Sequence, residues 1–126
     1  MLTMVEYVHQ RISTYPRDMV GVDMTMGNGH DTKYLLSHCQ KVYAFDIQEE
    51  AFINTQKKIG FPTNLHYIHD SHENIDKYFS SFDIGIFNLG YLPLASHQVT
   101  TLLSSTKVAI QKSVEMMTTV LFIVVY

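Results

Sequence analysis

Apolar positions along this chain follow two rhythms in alternation. Leu2, Val5, Val8 and Ile12 recur at helical spacing and stop before Pro16, so residues 1–15 are predicted to hold a helix. Short apolar runs then read as strands: Met19–Met24 around Gly21, Lys41–Phe45, Leu65–Ile68, Phe82–Leu89 and the β-branched Val120–Tyr126. Between them, Asp31–His38, Gln48–Ile59, His72–Phe79 and Val99–Met117 read as helices, the second stopped by Gly60 and Pro62. Strands alternating with helices predict an α/β fold with a mostly parallel five-strand sheet and helices on both faces. Strands buried on both sides should be continuously apolar, and the segments IGIFNL and VLFIVVY fit that expectation. In such sheets ligands bind outside the carboxyl ends of the strands, near the point where strand order reverses.

Composition narrows the picture. With 126 residues the chain is expected to form one domain over 1–126, and 46% hydrophobic against 17% charged residues is a globular balance. A lone cysteine, Cys39, excludes an intramolecular disulfide and a Cys-rich zinc site, and points to a reducing compartment. The longest wholly apolar run, Val120–Tyr126, is too short to span a bilayer, and the N-terminus lacks a basic-then-apolar leader pattern. The expectation is a soluble, cytoplasmic protein without a membrane partner. Net charge is −3 with scattered basic residues, which gives no electrostatic footprint for a long nucleic acid.

Four predicted strand ends carry the candidate chemistry. After the first come Asp23, Thr25, Gly27, Asn28, Gly29 and Asp31, and the glycines permit positive φ and close approach of a ligand. Thr32 stands where a dinucleotide fingerprint has its third glycine, and two carboxylates suit a cationic ligand better than a pyrophosphate. The same segment also reads as a tight turn with Asp31 capping the next helix. After the second strand, Asp46 lies seventeen residues beyond Gly29, close to the spacing of a ribose-hydroxyl acceptor, and equally forms a capping pair with Glu49. After the third, Asp70, Ser71 and His72 offer polar groups to a base edge, or Asp70 caps with Glu73. His66, His69 and His72 cross a strand–loop boundary and imply no common face for a metal. After the fourth, Asn88 and Tyr91 stand three apart in a loop tightened by Gly90 and Pro93. An Asn carbonyl oxygen can accept from an amine, and a Tyr ring can stack on a base.

DMTMGNGHDT, VYAFDIQ, IHDSHE and FNLGYLP, in this order, resemble a bacterial family of S-adenosylmethionine-dependent methyltransferases long labelled rRNA methylases. The resemblance runs from about Met1 to Tyr126. It implies a Rossmann-like class I methyltransferase fold, S-adenosylmethionine as cofactor, and tRNA as partner, since characterised members methylate the aminomethyl group of the wobble uridine. By motif, Gly27, Asn28, Gly29 and Asp31 would line the methionine part of the cofactor. Asp46 and Gln48 would hold ribose, and Asp70 with Ser71 the adenine, with Asp23, Thr25, Ile47, His72 and Asn88 completing the binding set. Asn88 and Tyr91 would face the amine, matching the outer positions of the Asn-Pro-Pro-Tyr tetrad of other N-methylating enzymes. Asp31 joins them as a candidate catalytic residue, with Asp31, His30 and His97 as alternatives for the base.

Three positions depart from the pattern. Leu94-Ala95 follow the YLP where the family has a glycine pair, and Met117-Thr118-Thr119 replace a glycine-containing turn. Similar proteins also continue past the fifth strand into a further helix and a terminal strand pair, so a shortened fold is expected. Val120–Tyr126 would then be an apolar sheet edge, covered by a second copy or a rearranged element. Two other readings compete with an active methyltransferase: a catalytically impaired cofactor-binding remnant, and an NAD-dependent oxidoreductase.

Overall fold

The structure, a computed structural model, describes residues 1–90 and 97–126, with 97–102 described as backbone alone. Its elements run α1 (Met4–Ile12), β1 (Val20–Asp23), α2 (His30–His38), β2 (Lys41–Asp46), α3 (Glu49–Ile59), β3 (Leu65–His69), a short 3-10 helix (His72–Lys77), β4 (Phe82–Leu89), α4 (His97–Met116) and β5 (Met117–Val125). Every strand pairs in parallel, in the order β3-β2-β1-β4-β5. The fold is therefore the expected Rossmann-like α/β arrangement, and strand order reverses between β1 and β4.

Two apolar layers sandwich the sheet. On one face Val8 and Ile12 of α1, Leu35 of α2 and Phe52 of α3 pack on Val42, Ala44, Ile84 and Ile86. On the other, Ile75 of the 3-10 helix and Ala109 of α4 pack on Val22, Phe45, Phe82 and Phe87. The side chain of Thr3 accepts the Glu6 backbone N–H and starts α1, whose buried face is only Val8 and Ile12.

Two sequence expectations change here. Residues 72–77 wind as a 3-10 helix, broken by non-helical dihedrals at Asn74, where an α-helix to Phe79 was predicted. The fifth strand begins at Met117, directly after α4, because Met117 already pairs with Phe82. A register shift follows between Phe82 and Ile84, where the Thr118 hydroxyl donates to Asp83. Of VLFIVVY only Val124 is buried, which rules out burial on both faces and agrees with the apolar sheet edge also expected of this segment. The cause is topological: β5 is an edge strand, and Val125 and Tyr126 are 73% and 68% exposed. Among the described residues no helix is long and apolar enough to cross a membrane.

Candidate functional site

The connections leaving β1 and β4 run to opposite faces of the sheet, with α2 on one and α4 on the other. A cavity of about 500 Å³ opens at the carboxyl ends of these strands, of the size that small-molecule sites have. Thr25 and Gly27 come to it from β1, Asp46, Ile47 and Gln48 from β2, Asp70, Ser71 and His72 from β3, and Asn88 from β4. Met24, Phe45 and Leu89 supply apolar wall, and Ser105 and Thr106 of α4 close one side.

The glycine loop is built by its neighbours. Gly29 adopts φ +83° at the N-terminus of α2, and a Cβ there would lie 2.6 Å from Thr55 Cγ2. Thr55 uses this close approach: its hydroxyl donates to the Gly27 carbonyl at 2.9 Å. Asp46 holds the other side, with Oδ2 accepting the Gly27 N–H and Oδ1 the Gln48 N–H, each at 2.9 Å. Asp46 thus closes a turn over Gln48 instead of pairing with Glu49, and Gln48 takes the cap position of α3 without a side-chain bond.

The β3 end is similarly self-braced. Ser71, rather than Asp70, caps the 3-10 helix, its side chain accepting the Glu73 N–H. Asp70 accepts from Ser71 N–H, Asn74 Nδ2 and the Tyr78 hydroxyl. The Tyr78 hydroxyl is the main reason its carboxyl titrates below the usual range. His72 donates from Nδ1 to the Met24 carbonyl at 2.9 Å, which leaves Nε2 to accept from Thr106 Oγ1 at 3.2 Å. Burial pushes the His72 imidazole below its ordinary value and keeps it neutral. The other two histidines of the trio face elsewhere: His66 stacks on Tyr43, and His69 donates to the Ile47 carbonyl.

Two carboxylates beside the glycine loop part company. Asp23 is completely buried, does not line the cavity, and accepts from the Thr32 hydroxyl at 2.7 Å and the Thr25 N–H at 3.1 Å. Burial pushes its carboxyl up to about 7, against the Thr32 bond and with help from the Asp31 charge. Asp31 does not cap α2, since Gly29 holds the cap position. Its Oδ1 accepts from His9 Nε2 at 2.7 Å and its Oδ2 from Asn88 Nδ2 at 3.2 Å. Burial would raise its pKa, but those two bonds and the charges of His9 and His30 outweigh burial and hold it below the usual range. The Asn88 backbone N–H donates to Thr25 Oγ1 at 2.8 Å, tying β4 to the loop. Asn88 Oδ1 is buried and has no partner among the described residues.

Nine predicted site residues therefore line one cavity. Asn28 is exposed beside it, Gly29 and Asp31 sit behind it, and Asp23 is withdrawn into the core. Tyr91 and the Leu94–Ala95 pair lie outside the described residues, as does the side chain of His97.

A family model described as "Putative rRNA methylase" matches residues 42–126, two thirds of the chain. The chain belongs to the rRNA methylase family. Solved structures agree with this assignment. A putative methyltransferase from Streptococcus mutans, in complex with SAH (S-adenosylhomocysteine), is 39% identical with a TM-score of 0.80, over 94% of this chain and 68% of that one. An rRNA methylase from Streptococcus thermophilus is 34% identical with a TM-score of 0.83, over 100% and 72%. A putative rRNA-methylase from Clostridium thermocellum is 33% identical with a TM-score of 0.79, over 94% and 68%.

Sequence reasoning about this rRNA methylase family member missed His9, Ser105 and Thr106. The Ser104-Ser105-Thr106 run directly after Leu102-Leu103 was a usable signal for the last two. His9 carried none, because its partner stands 22 residues away on another helix.

Proposed function

We propose that this chain is an S-adenosylmethionine-dependent N-methyltransferase acting on an RNA amine, and that the amine is the aminomethyl group of a tRNA wobble uridine. The observation that carries the amine chemistry is the buried Oδ1 of Asn88, which has no partner among the described residues, in a residue that lines the cavity. A buried acceptor without a donor is costly and marks a place where a donor is expected. The RNA substrate rests on the family resemblance.

The residues present fit the cofactor. A carboxylate offers about four acceptor positions, and the two backbone bonds on Asp46 leave room for both hydroxyls of a ribose. Ile47, 51% exposed beside Asp46, gives a flat base an apolar surface. Asp70, Ser71 and the neutral His72 line the β3 side, where an adenine edge would be read. When bound, S-adenosylmethionine supplies a methyl group carried on an electrophilic sulfonium.

The chain's own residues do the positioning. Asn88 Oδ1 accepts one N–H of the amine and so orients its lone pair. Met24, Phe45 and Leu89 exclude water, and low polarity disfavours the ammonium form, so the amine enters neutral. Asp31 is a fixed negative acceptor with both oxygens engaged, and its lowered pKa makes it a weak base. Most of the acceleration comes from holding the reactants aligned.

The test has two stages. Calorimetry with S-adenosylhomocysteine is expected to show one site per chain. The protein with S-adenosylmethionine is then incubated with tRNA from cells that lack the wobble methyl group. Nucleoside mass spectrometry is expected to find one added methyl on the aminomethyluridine. Binding without transfer to this nucleoside overturns the substrate assignment, and absence of binding overturns the whole reading.

A further inference from the structure

Behind the cavity, His9, Asp31 and Asn88 form a hydrogen-bonded line that joins α1, α2 and β4. His9 does not line the cavity, and the proposed reaction assigns it no task. An asparagine amide can sit in either of two flipped orientations, and the one adopted decides whether it offers an acceptor or a donor. An ionised carboxylate only accepts, so Asp31 draws the Asn88 NH₂ toward itself and leaves Oδ1 as the free end. The same logic puts the proton of His9 on Nε2, donating to Asp31 Oδ1 at 2.7 Å. The imidazole is itself immobilised. It stacks on Tyr34 with centroids 4.0 Å apart and planes within 8°, and the Tyr34 hydroxyl donates to the His9 carbonyl at 2.6 Å. His30 stacks beyond it at 5.5 Å.

We infer that His9 is a positioning residue: by holding Asp31 in place it sets the Asn88 amide with its oxygen free, so that the site selects an N–H-bearing acceptor group over a carbonyl-like one. The consequence for turnover rests on the proposed methyl transfer, whereas the orientation of the amide does not. Substituting His9 removes the donor to Asp31, and Asn88 then loses the fixed carboxylate that excludes its flipped form.

Two variants of the full chain separate the donor from the ring. His9→Phe keeps a flat ring on Tyr34 and loses the donor, while His9→Gln carries an N–H at nearly the Nε2 position. In ¹⁵N-labelled protein without cofactor, the Asn88 side-chain NH₂ signals are expected to coincide in wild type and His9→Gln and to move in His9→Phe. The turnover of an amine substrate is expected to fall about 10- to 100-fold in His9→Phe and to recover to within about threefold of wild type in His9→Gln. Affinity for S-adenosylhomocysteine stays within about twofold throughout, because His9 lies outside the cavity. Unmoved Asn88 signals in a folded His9→Phe, or a His9→Gln as impaired as His9→Phe, overturn the inference. If His9→Phe does not fold, wild type decides: a slowly exchanging His9 Nε2–H signal supports the line, and a freely exchanging one overturns it. A wild-type protein that binds S-adenosylhomocysteine but methylates no amine defeats the proposed function, and the Asn88 signals still decide the role of His9.

Discussion

Asp23 and Asp31 belong to the same turn, eight residues apart, and face opposite fates. Both lose most of their water. Among the described residues Asp23 receives a threonine hydroxyl and a backbone N–H, and its carboxyl is pushed up to about 7. Asp31 receives an imidazole N–H and an amide NH₂, and its carboxyl is held below the usual range. Burial alone therefore does not decide whether a carboxylate can carry charge. The partners that folding delivers decide it, and only Asp31 has partners able to replace lost hydration. The first carboxylate clamps β1 to α2, whereas the second serves the cavity through Asn88.

Stability against pH gives the largest expected separation. Below pH 3.8 Asp23 is protonated in both the folded and the unfolded chain and costs nothing. As pH rises toward 7 the unfolded chain releases a proton that the folded one retains, so stability is lost across that window. About three pH units at ~1.4 kcal/mol each make the loss on the order of 4 kcal/mol. The difference in urea-unfolding free energy between wild type and Asp23→Asn should fall by that amount from pH 4 to pH 8, and a flat difference breaks the contrast. Asp31 acts in the opposite sense: its stabilisation is complete above pH 3.8 and is lost as pH falls below it.

Next in size is the effect of Asp31 on chemistry. Asp31→Asn should lower methyl transfer about 100-fold and leave S-adenosylhomocysteine affinity within about threefold, as single-turnover kinetics and calorimetry would show. A comparable loss of affinity would mean that Asp31 touches the cofactor directly. Asp46→Ala should do the reverse, weakening S-adenosylhomocysteine about 30-fold by removing a charged acceptor and loosening Gly27. Unchanged affinity there would remove Asp46 from the ribose role. The smallest effect belongs to Thr106→Val. It removes the Thr106 hydroxyl from His72 Nε2, and should weaken the same ligand about threefold.

Much of the fold was legible because its signals are local. Phe82–Leu89 was bounded correctly by its apolar run and by Gly90, and spacing singled out Gly27 and Asp46, the last residue of β2, both of which line the cavity. The apolar run of β5 fits a doubly buried strand as well as the edge strand expected of it, because such a run looks the same at the centre of a sheet and at its edge, and only the order β3-β2-β1-β4-β5 distinguishes them. The capping pairs were each displaced: Asp46 turned to Gln48 and Gly27, and Ser71 took the cap expected of Asp70. In both cases a backbone N–H nearer in space won over the one at the ideal sequence offset.

Periodicity and punctuation by glycine and proline are properties of neighbouring residues, so the sequence alone determined the alternation of strands and helices and the four strand ends where polar groups collect. Tertiary structure decided which of those groups face the cavity and with what charge. It buried Asp23, brought His9 to Asp31 across 22 residues and Asn88 to Asp31 across 57. The state of a buried carboxylate depends on the donors that reach it, and those donors are distant in the chain until the sheet closes.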